Sequence, residues 1–279
     1  MKWILFFDLD GTLWNRMEQI PESAFDAVRQ ARRNGLEVWI NTGRTRAFVY
    51  QPQLFDMGID GIVSGAGTMI EGKRPWQESV SINWRDNQLY LYDEIPAKLA
   101  EETIKCLTHH RIYSILEGRD HLYCDVDAFG EDPFVQRVAR KMGENLLPVT
   151  GNEGKWAFVK LSCDFKDVTG RTEALEWLGS RYEIFAHNEN IMEFVPFGHT
   201  KGTGVLAACR ATGIPVENTI AFGDGRNDIE MLDTVKVPVA MGNGTELARQ
   251  HAVHVAKPYD QDGVAKMLTE LGLIESACQ

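Results

Sequence analysis

The sequence has little cysteine and no paired cysteine motif. It holds five cysteines, an odd number, and none of them forms a Cys-x-x-Cys pair. They are Cys106, Cys124, Cys163, Cys209 and Cys278. This usage predicts reduced thiols in a cytoplasmic protein rather than a disulfide framework.

Long apolar runs are also missing. The run from Trp3 to Phe7 is too short for the apolar region of a signal peptide, and it ends at Asp8 and Asp10. No other stretch of the sequence is long and apolar enough to cross a bilayer. We therefore expect an intracellular protein with no membrane partner.

Positive charge is scarce as well. The chain has 29 lysines and arginines against 40 aspartates and glutamates, for a formal net charge of −11. A nucleic-acid binder needs a basic surface to meet phosphates, so we expect no nucleic-acid partner. A small anionic substrate remains compatible with this charge, because a bound metal ion can reverse the local sign of a pocket.

The sequence does contain an alternation of buried strands and helices near both of its ends. Apolar strands are predicted at Lys2–Phe7, Leu36–Ile40, Ile59–Val63, Ile191–Val195, Thr219–Phe222 and Val237–Met241. Helices such as Glu22–Asn34 and Lys201–Thr212 lie between these strands. This order predicts an α/β fold with a doubly wound parallel (Rossmann-like) sheet as its core.

The middle of the chain has a different pattern. Helices predicted at Pro96–His109 and Asp132–Met142 flank a hairpin predicted over Ile112–Cys124. Such a mixture indicates an inserted α+β cap domain with a sheet of its own. We expect residues 1–81 and 190–279 to form the core and residues 82–189 to form the cap.

Polar residues follow several of the predicted core strands, at the sheet edge where open parallel sheets bind ligands. Asp8 and Asp10 come directly after the first strand, and Asn41-Thr42-Gly43-Arg44 follows the second. Gly223-Asp224-Gly225-Arg226-Asn227-Asp228 follows a later strand, and Lys201 begins a helix. We expect these side chains to lie close together.

The acids among these residues indicate a metal site. On a continuing strand, Asp8 and Asp10 point the same way. Together with Asp224 they repel one another unless a cation lies among them. Oxygen ligands with no His or Cys nearby favour Mg²⁺ over zinc. A lone Asp-x-Asp carries little weight, and we interpret Asp125-Val126-Asp127 as a solvated loop.

In this order the segments resemble the four motifs of the haloacid dehalogenase (HAD) superfamily. Asp8-Leu9-Asp10-Gly11-Thr12 is similar to the first motif, and Thr42 to the second. Lys201 is similar to the third motif, and the segment from Gly223 to Asp228 to the fourth. An insertion between the second and third motifs resembles the Cof-like phosphatases, which carry a type IIB cap.

The resemblance implies a Mg²⁺-dependent phosphatase that acts on small phosphorylated metabolites such as sugar phosphates. It implies that Asp8 is the nucleophile and that Asp10 is the general acid and base. It further implies that Mg²⁺ binds the carboxylates of Asp8 and Asp224 and the backbone carbonyl of Asp10, with Asp228 supporting the bound waters. The residues implied to bind the phosphoryl group and substrate are Thr42, Gly43, Arg44, Lys201 and Asn227.

Two departures from the family pattern concern substrate identity. Ser64-Gly65-Ala66-Gly67-Thr68 stands where relatives often carry Asn-Gly-Ala, and His199 stands where an apolar residue is more usual. Two alternative functions also remain open. A hexose-phosphate mutase would use the same aspartyl-phosphate, and a catalytically silent regulatory or binding module would keep the fold without the activity. The sequence leaves the substrate and the oligomeric state open.

Overall fold

A computed structural model describes residues 2–15, 17–128 and 133–275. Contacts between residues divide the chain into two compact units. The first unit contains the residues up to Gly43, Tyr50–Tyr92 and the residues from Thr200 onward. The second unit contains Asp93–His199 and the short segment Arg44–Val49.

Strands and helices are numbered here in chain order. The strands are β1 (Ile4–Phe7), β2 (Glu37–Asn41), β3 (Gly61–Ser64), β4 (Met69–Gly72), β5 (Gln88–Tyr92), β6 (Tyr113–Glu117), β7 (Leu122–Tyr123), β8 (Leu146–Leu147), β9 (Lys160–Asp164), β10 (Tyr182–Ala186), β11 (Ile191–Pro196), β12 (Thr219–Gly223), β13 (Val237–Ala240) and β14 (His254–Val255). The helices are α1 (Glu22–Arg33), α2 (Pro52–Asp56), α3 (Ala97–His109), α4 (Pro133–Met142), α5 (Arg171–Gly179), α6 (Lys201–Thr212), α7 (Ile229–Thr234), α8 (Glu246–Gln250) and α9 (Gly263–Glu270).

The first unit is built on one sheet with the order β14-β13-β12-β1-β2-β3-β4-β5. Neighbouring strands from β14 to β3 pair in parallel, whereas β4 and β5 add an antiparallel edge. All four residues of β1 are buried, as expected for a central parallel strand. Phe6 packs in a cluster with Ala221 and Val205, which fixes α6 against one face of the sheet. The predicted doubly wound α/β core is confirmed.

The strand order places a topological switch point at the carboxyl end of β1. From β1 the chain proceeds outward through β2 and β3 on one side, and through β12, β13 and β14 on the other. The order therefore reverses between β1 and β12, which pair in register from Ile4 with Thr219 to Phe7 with Phe222. Connections on opposite faces diverge at such a point and leave room for a ligand beyond the strand ends.

The second unit has a six-stranded sheet with the order β10-β11-β9-β6-β7-β8. Its pairs are antiparallel except for β7 with β8. Leu116, Leu161 and Phe194 project from neighbouring strands into an apolar cluster, where they meet Leu107 of α3 and Leu178 of α5. One face of this sheet is thus covered by helices, in agreement with an α+β cap.

The strand predicted at Ile191–Val195 was assigned to the core sheet, and that assignment is wrong. In the structure β11 pairs antiparallel with β10 and with β9, all in the second unit. The reason is a tight turn just before it, in which the Asn188 side chain accepts hydrogen bonds from the N–H groups of Asn190 and Ile191. A short turn returns a strand beside its predecessor, so β10 and β11 form a hairpin.

The boundaries of the units differ accordingly from the predicted 81/82 and 189/190. Apart from the short segment Arg44–Val49, the chain passes between the units at Tyr92/Asp93 and at His199/Thr200. On the first side, β5 pairs with β4 and so extends the core sheet beyond residue 81. The predicted helix start at Asp132 lies outside the described residues, as does Cys278.

Two further predictions concern the described part of the chain. Its cysteines are free, as expected for reduced thiols; they are Cys106, Cys124, Cys163 and Cys209. No helix among the described residues combines the length and the apolar character that a bilayer crossing requires.

Candidate active site

Asp8 lies at the carboxyl end of β1 and is only 4% exposed. Its N–H donates a hydrogen bond to the carbonyl of Phe222 at 3.0 Å, which continues the pairing with β12 by one residue. The chain then turns, because the carbonyl of Leu9 accepts bonds from the N–H groups of Leu13 at 3.1 Å and Trp14 at 3.0 Å. The first acid is therefore held rigidly on the sheet, whereas the residues after it leave the strand.

This turn corrects the expectation that Asp8 and Asp10 continue one strand. Asp8 is buried, but Asp10 is exposed. The Asp10 carboxylate accepts a hydrogen bond from the indole N–H of Trp14 at 3.0 Å. It still lies near enough to raise the pKa of Asp8 and of Asp224 by its charge, although burial contributes more to both shifts. The two acids thus occupy different environments at one site.

Gly11 and Thr12 join this turn to the loop after β12. Gly11 has φ +82°, and a Cβ built on it would lie 2.5 Å from Oδ2 of Asp224. A side chain at this position would therefore collide with the acid as well as strain the backbone. The hydroxyl of Thr12 donates to Oδ1 of Asp224 at 3.1 Å. Thr12 had been given no role of its own from the sequence, although it belongs to the first motif.

Asp228 organises the loop after β12. Its Oδ2 accepts hydrogen bonds from the N–H groups of Asp224 at 2.9 Å and of Gly225 at 2.8 Å. Its Oδ1 accepts from the ammonium of Lys201 at 2.6 Å. The carboxylate is fully buried. One oxygen of Asp228 therefore fixes the backbone that carries Asp224, and the other fixes Lys201.

Lys201 is the first residue of α6 and is 1% exposed. The Thr200 side chain caps this helix by accepting from the N–H of Thr203 at 3.1 Å. The Lys201 ammonium donates to Oδ1 of Asp8 at 2.5 Å. The amide of Asn41, at the end of β2, donates to the Lys201 carbonyl at 2.8 Å. Asn41 is a positioning residue that the sequence had shown only as the neighbour of Thr42.

The electrostatics of the site favour a cation. Burial raises the pKa of Asp8 well above its usual value, and Asp228 and Asp224 raise it further, although Lys201 lowers it. Burial and Asp228 likewise raise the pKa of Asp224 to about 6. Burial alone would lower the pKa of Lys201, but Asp228 and Asp8 raise it above its ordinary value. One ammonium therefore faces more negative charge than it can neutralise.

The donor set fits a divalent metal ion. Carboxylate oxygens of Asp8, Asp224 and Asp228 all lie within 4.8 Å of one another. Every candidate side-chain ligand in this group is an oxygen, which suits a hard cation. The surplus negative charge of the buried acids supplies the electrostatic reason for a cation to bind there.

The remaining predicted residues lie on neighbouring loops. Thr42 is buried, and its N–H donates to the carbonyl of Val63 at 2.9 Å. Gly43 ends the first part of the first unit, and Arg44 begins the segment assigned to the second unit. Asn227 lies in the turn Arg226–Asp228 that follows β12. The structure thus joins Asp8, Asp224, Asp228 and Lys201 by direct contacts and adds Thr42 and Asn227 from adjoining strand ends.

The unusual segment Ser64–Thr68 supports this arrangement through its backbone. The N–H of Ala66 donates to the Thr42 carbonyl at 3.1 Å. Gly67 has φ +98°, and a Cβ built on it would lie 2.6 Å from the carbonyl oxygen of Thr200. The loop after β3 therefore packs closely against both Thr42 and the start of α6. Glycine at position 67 permits that approach.

A strand-end aspartate paired with a lysine at the start of a helix, beside further acids at the switch point of a doubly wound sheet, is typical of a class of phosphoryl-transfer hydrolases. Residues 5–268 match the haloacid dehalogenase-like hydrolase family. The chain belongs to this family, which confirms the resemblance drawn from the four motifs.

Individual relatives agree with this assignment. The chain is 28% identical over 276 residues to YkrA of Bacillus subtilis, which is named as a phosphatase, with 98% of each chain covered. It is 25% identical over 277 residues to the 5-amino-6-(5-phospho-D-ribitylamino)uracil phosphatase YitU of the same organism, covering 96% of this chain and 97% of YitU. Among solved structures, it is similar to the HAD subclass IIB sugar phosphatase BT4131, with a TM-score of 0.78 and 23% identity over 98% of this chain and 100% of that one.

Proposed function

We propose that this protein is a Mg²⁺-dependent phosphatase that hydrolyses phosphomonoesters of small metabolites through an aspartyl-phosphate on Asp8. The observation that carries the proposal is the buried Asp8 carboxylate, which lies 2.5 Å from the Lys201 ammonium and within the group of three acids. Such an oxygen is oriented by its lysine partner and shielded from bulk water. Both properties suit a nucleophile that must attack another anion.

The metal would be held by the carboxylates of Asp8 and Asp224 and by the backbone carbonyl of Asp10, with Asp228 supporting the bound waters. When bound, Mg²⁺ neutralises negative charge so that a carboxylate can approach a phosphate. The contacts of Asp228 support its indirect role, since both its oxygens already accept hydrogen bonds from the protein. Thr12 keeps the Asp224 carboxylate oriented.

The chemistry of the chain's own residues follows from this placement. An Asp8 oxygen attacks phosphorus, the bond from phosphorus to the leaving oxygen breaks, and Asp10 gives that oxygen a proton. Water then attacks phosphorus as Asp10 takes its proton, and the bond from phosphorus to the Asp8 oxygen breaks. This step releases inorganic phosphate and restores Asp8 as a carboxylate and Asp10 as the protonated acid. Asp10 suits proton transfer because its side chain is exposed and lies outside the group formed by Asp8, Asp224 and Asp228.

Thr42, Gly43, Arg44, Lys201 and Asn227 would bind the phosphoryl group and the substrate. Lys201 has an additional task, because it offsets the negative charge around Asp8. Asn227 and Thr42 follow strands on opposite sides of β1 in the sheet order. The phosphate would therefore be gripped from both sides of the nucleophile.

The proposed substrates are small phosphorylated metabolites, sugar phosphates or similar polyol phosphates. YitU is named for a phosphoribitylamino compound and BT4131 as a sugar phosphatase, and both names describe phosphate on a hydroxylated carbon chain. The net charge of −11 supports a small substrate rather than a nucleic acid. The free thiols of the described residues support the cytoplasmic location predicted from the sequence.

The direct test measures release of inorganic phosphate from a panel of sugar phosphates and polyol phosphates, with Mg²⁺ and after EDTA treatment. We expect release that depends on Mg²⁺ and returns when Mg²⁺ is restored. Equal release after EDTA would contradict the metal-dependent proposal. Conversion of one phosphate ester into an isomer without phosphate release would instead indicate a mutase.

A further inference from the structure

A second cluster of charged residues, centred on a buried lysine, lies in the second unit, and the proposed function gives it no role. Its centre is Lys160, which is 1% exposed. The Lys160 ammonium lies 2.9 Å from Oε1 of Glu193 and 3.6 Å from Oε2 of Glu117. His187 lies 3.2 Å from the same Glu193 oxygen, and the hydroxyl of Ser162 donates to Oε1 of Glu117 at 2.5 Å. We call these five residues the Lys160 network.

The network crosses three neighbouring strands of the second sheet. Glu117 on β6 pairs in register with Lys160 on β9, and Glu193 on β11 pairs with Ser162 on β9. Alternate residues of a strand point to opposite faces of its sheet. Leu116, Leu161 and Phe194 enter the apolar cluster beneath the helices, so the network lies on the other face.

One end of the network contacts the segment Arg44–Val49, which belongs to the same unit. The Thr45 side chain is buried, and its hydroxyl donates to Oε2 of Glu117 at 3.4 Å. The segment is a tight turn, since the N–H of Phe48 donates to the Thr45 carbonyl at 2.9 Å. The Arg46 side chain is buried as well, and it donates to the carbonyl of Val49. A rigid turn is thus attached to the network through Thr45.

The energetics argue that the network serves more than folding. Removing two carboxylates and an ammonium from water is unfavourable, and an apolar replacement of similar volume is often as stable. Burial raises the pKa of Glu117, although Lys160 opposes that shift. Burying the ionised Glu117 carboxylate is therefore unfavourable. When it is ionised, however, it is a strong acceptor for the hydrogen bond from a threonine hydroxyl.

The position of Thr45 in the chain shows what such an acceptor can control. Thr45 directly follows Thr42-Gly43-Arg44, so any restraint on it acts on the residues proposed to bind phosphate. We propose that Glu117 is a positioning residue, which acts through Thr45 to hold this phosphate-binding segment in place. This inference rests on the proposed function, because it presumes that Thr42–Arg44 bind the phosphoryl group.

The test compares Thr45→Val, which removes the hydroxyl with little change of shape, with Glu117→Gln and with the double variant. Inorganic phosphate serves as the probe, through its inhibition constant against a substrate that the wild type hydrolyses. We expect Thr45→Val to raise both this constant and KM about tenfold while kcat changes less, because misplaced binding groups weaken positioning. Glu117→Gln keeps a neutral acceptor and should raise them about threefold.

The inhibition constant of phosphate for the double variant distinguishes a positioning role from a merely structural one. Since Glu117 is proposed to act through Thr45, the double variant should bind phosphate no more weakly than Thr45→Val alone. The matched control is Thr150→Val, which removes another threonine hydroxyl of the second unit that donates to a carboxylate, that of Asp125 at 2.8 Å. Its phosphate constant and KM should equal those of the wild type.

Each result decides the inference. Additive effects in the double variant, or an unchanged phosphate constant in Thr45→Val, would overturn the positioning role while leaving the phosphatase assignment intact. A change of KM for one substrate without a change in phosphate binding would show that Thr45 recognises the leaving group, which also overturns it. Absence of phosphate release by the wild type would overturn the proposed function and this inference together.

Thermal unfolding of each variant separates loss of folding from loss of positioning, and Glu117→Gln remains decisive if Thr45→Val does not fold.

Discussion

Each of the two units buries a lysine between two carboxylates. In the first, the ammonium of Lys201 lies 2.5 Å from Asp8 and 2.6 Å from Asp228. In the second, the ammonium of Lys160 lies 2.9 Å from Glu193 and 3.6 Å from Glu117. Both lysines are 1% exposed. A buried lysine with two acidic partners therefore does not, by itself, distinguish the proposed active site.

The two clusters differ in how their remaining negative charge is balanced. Asp224 adds a third acid to the first cluster, within 4.8 Å of Asp8 and Asp228. The described part of the chain has no second group of this kind. In the second cluster the surplus charge meets His187, whose pKa is raised chiefly by its hydrogen bond with Glu193. Uncompensated negative charge at strand ends, rather than the ion pair, distinguishes the site that suits a metal.

The strongest way to break this comparison is to make the same chemical change in both clusters. Asp8→Asn, which is nearly isosteric, should lower kcat by about 10⁴-fold or more because it removes the nucleophile. Glu193→Gln, the equivalent change beside Lys160, should retain most of kcat per folded molecule. Both variants would be measured for phosphate release and thermal unfolding. Turnover by folded Asp8→Asn within about tenfold of the wild type would refute the assignment of the nucleophile.

Replacing the two lysines sharpens the contrast in stability. Lys160→Met leaves Glu117 and Glu193 without their buried cation and should cost about 3–5 kcal/mol of unfolding free energy, with or without Mg²⁺. Lys201→Met should destabilise the metal-free protein similarly and lower kcat by about 10²–10³-fold. Mg²⁺ should restore part of its stability, because a divalent cation replaces the missing charge. Equal responses of both variants to Mg²⁺ in denaturant titrations would contradict the distinction between the clusters.

The pH dependence of stability tests the surplus charge directly. In the metal-free protein the pKa of Asp224 is raised from 3.8 to about 6, chiefly by burial. Its stabilising contribution is therefore complete below pH 3.8 and is lost as the pH rises through about 6. In EDTA, Asp224→Asn should gain stability relative to the wild type between these limits, on the order of 2 kcal/mol. Added Mg²⁺ should reverse the order at pH 7, since the wild type alone keeps this carboxylate ligand.

A pH-independent difference between Asp224→Asn and the wild type in EDTA would contradict this assignment of charge. The matched control is Asp233→Asn, because Asp233 is an exposed acid of the same unit that pairs with His251. It should show no change in its response to Mg²⁺.

The main residues of the proposed site could be predicted from sequence because each lies directly after an apolar strand or at a capped helix start. Asp8 follows the central strand, and Lys201 follows the capping residue Thr200. These are local signals, and parallel strands bring their carboxyl ends to one edge of the sheet. The environment of Asp10 was not predictable from a strand pattern. It depends on the turn in which the Leu9 carbonyl accepts several N–H groups and Gly11 adopts a positive φ.

The second cluster had no local signal of this kind. Glu117, Lys160 and Glu193 come from three strands that are distant in the sequence, and only sheet pairing brings them together. Nonlocal pairing also places β11 in the second sheet. The alternation of strands and helices in the sequence had instead predicted that this strand belongs to the core. Local propensity identified the strands, but the partner of each strand was decided by turns and by packing.

The smallest expected effect concerns His187, which we expect to balance the surplus negative charge of the second cluster in place of a metal ion. Because Glu193 raises the pKa of His187 above 6.5, the stabilisation from His187 should be complete below pH 6.5 and lost as the pH rises through the folded-state value. The side chain is 44% exposed, so solvent screening should hold the effect below about 1 kcal/mol. The wild type should therefore be more stable than His187→Gln at pH 5.5, and the difference should shrink by pH 8.5. This difference should be the same in EDTA and in Mg²⁺, because the second cluster has its own cation. If the stability difference between the wild type and His187→Gln grew with pH, or if Mg²⁺ abolished it, the charge of the second cluster would not be balanced by His187 independently of the metal site.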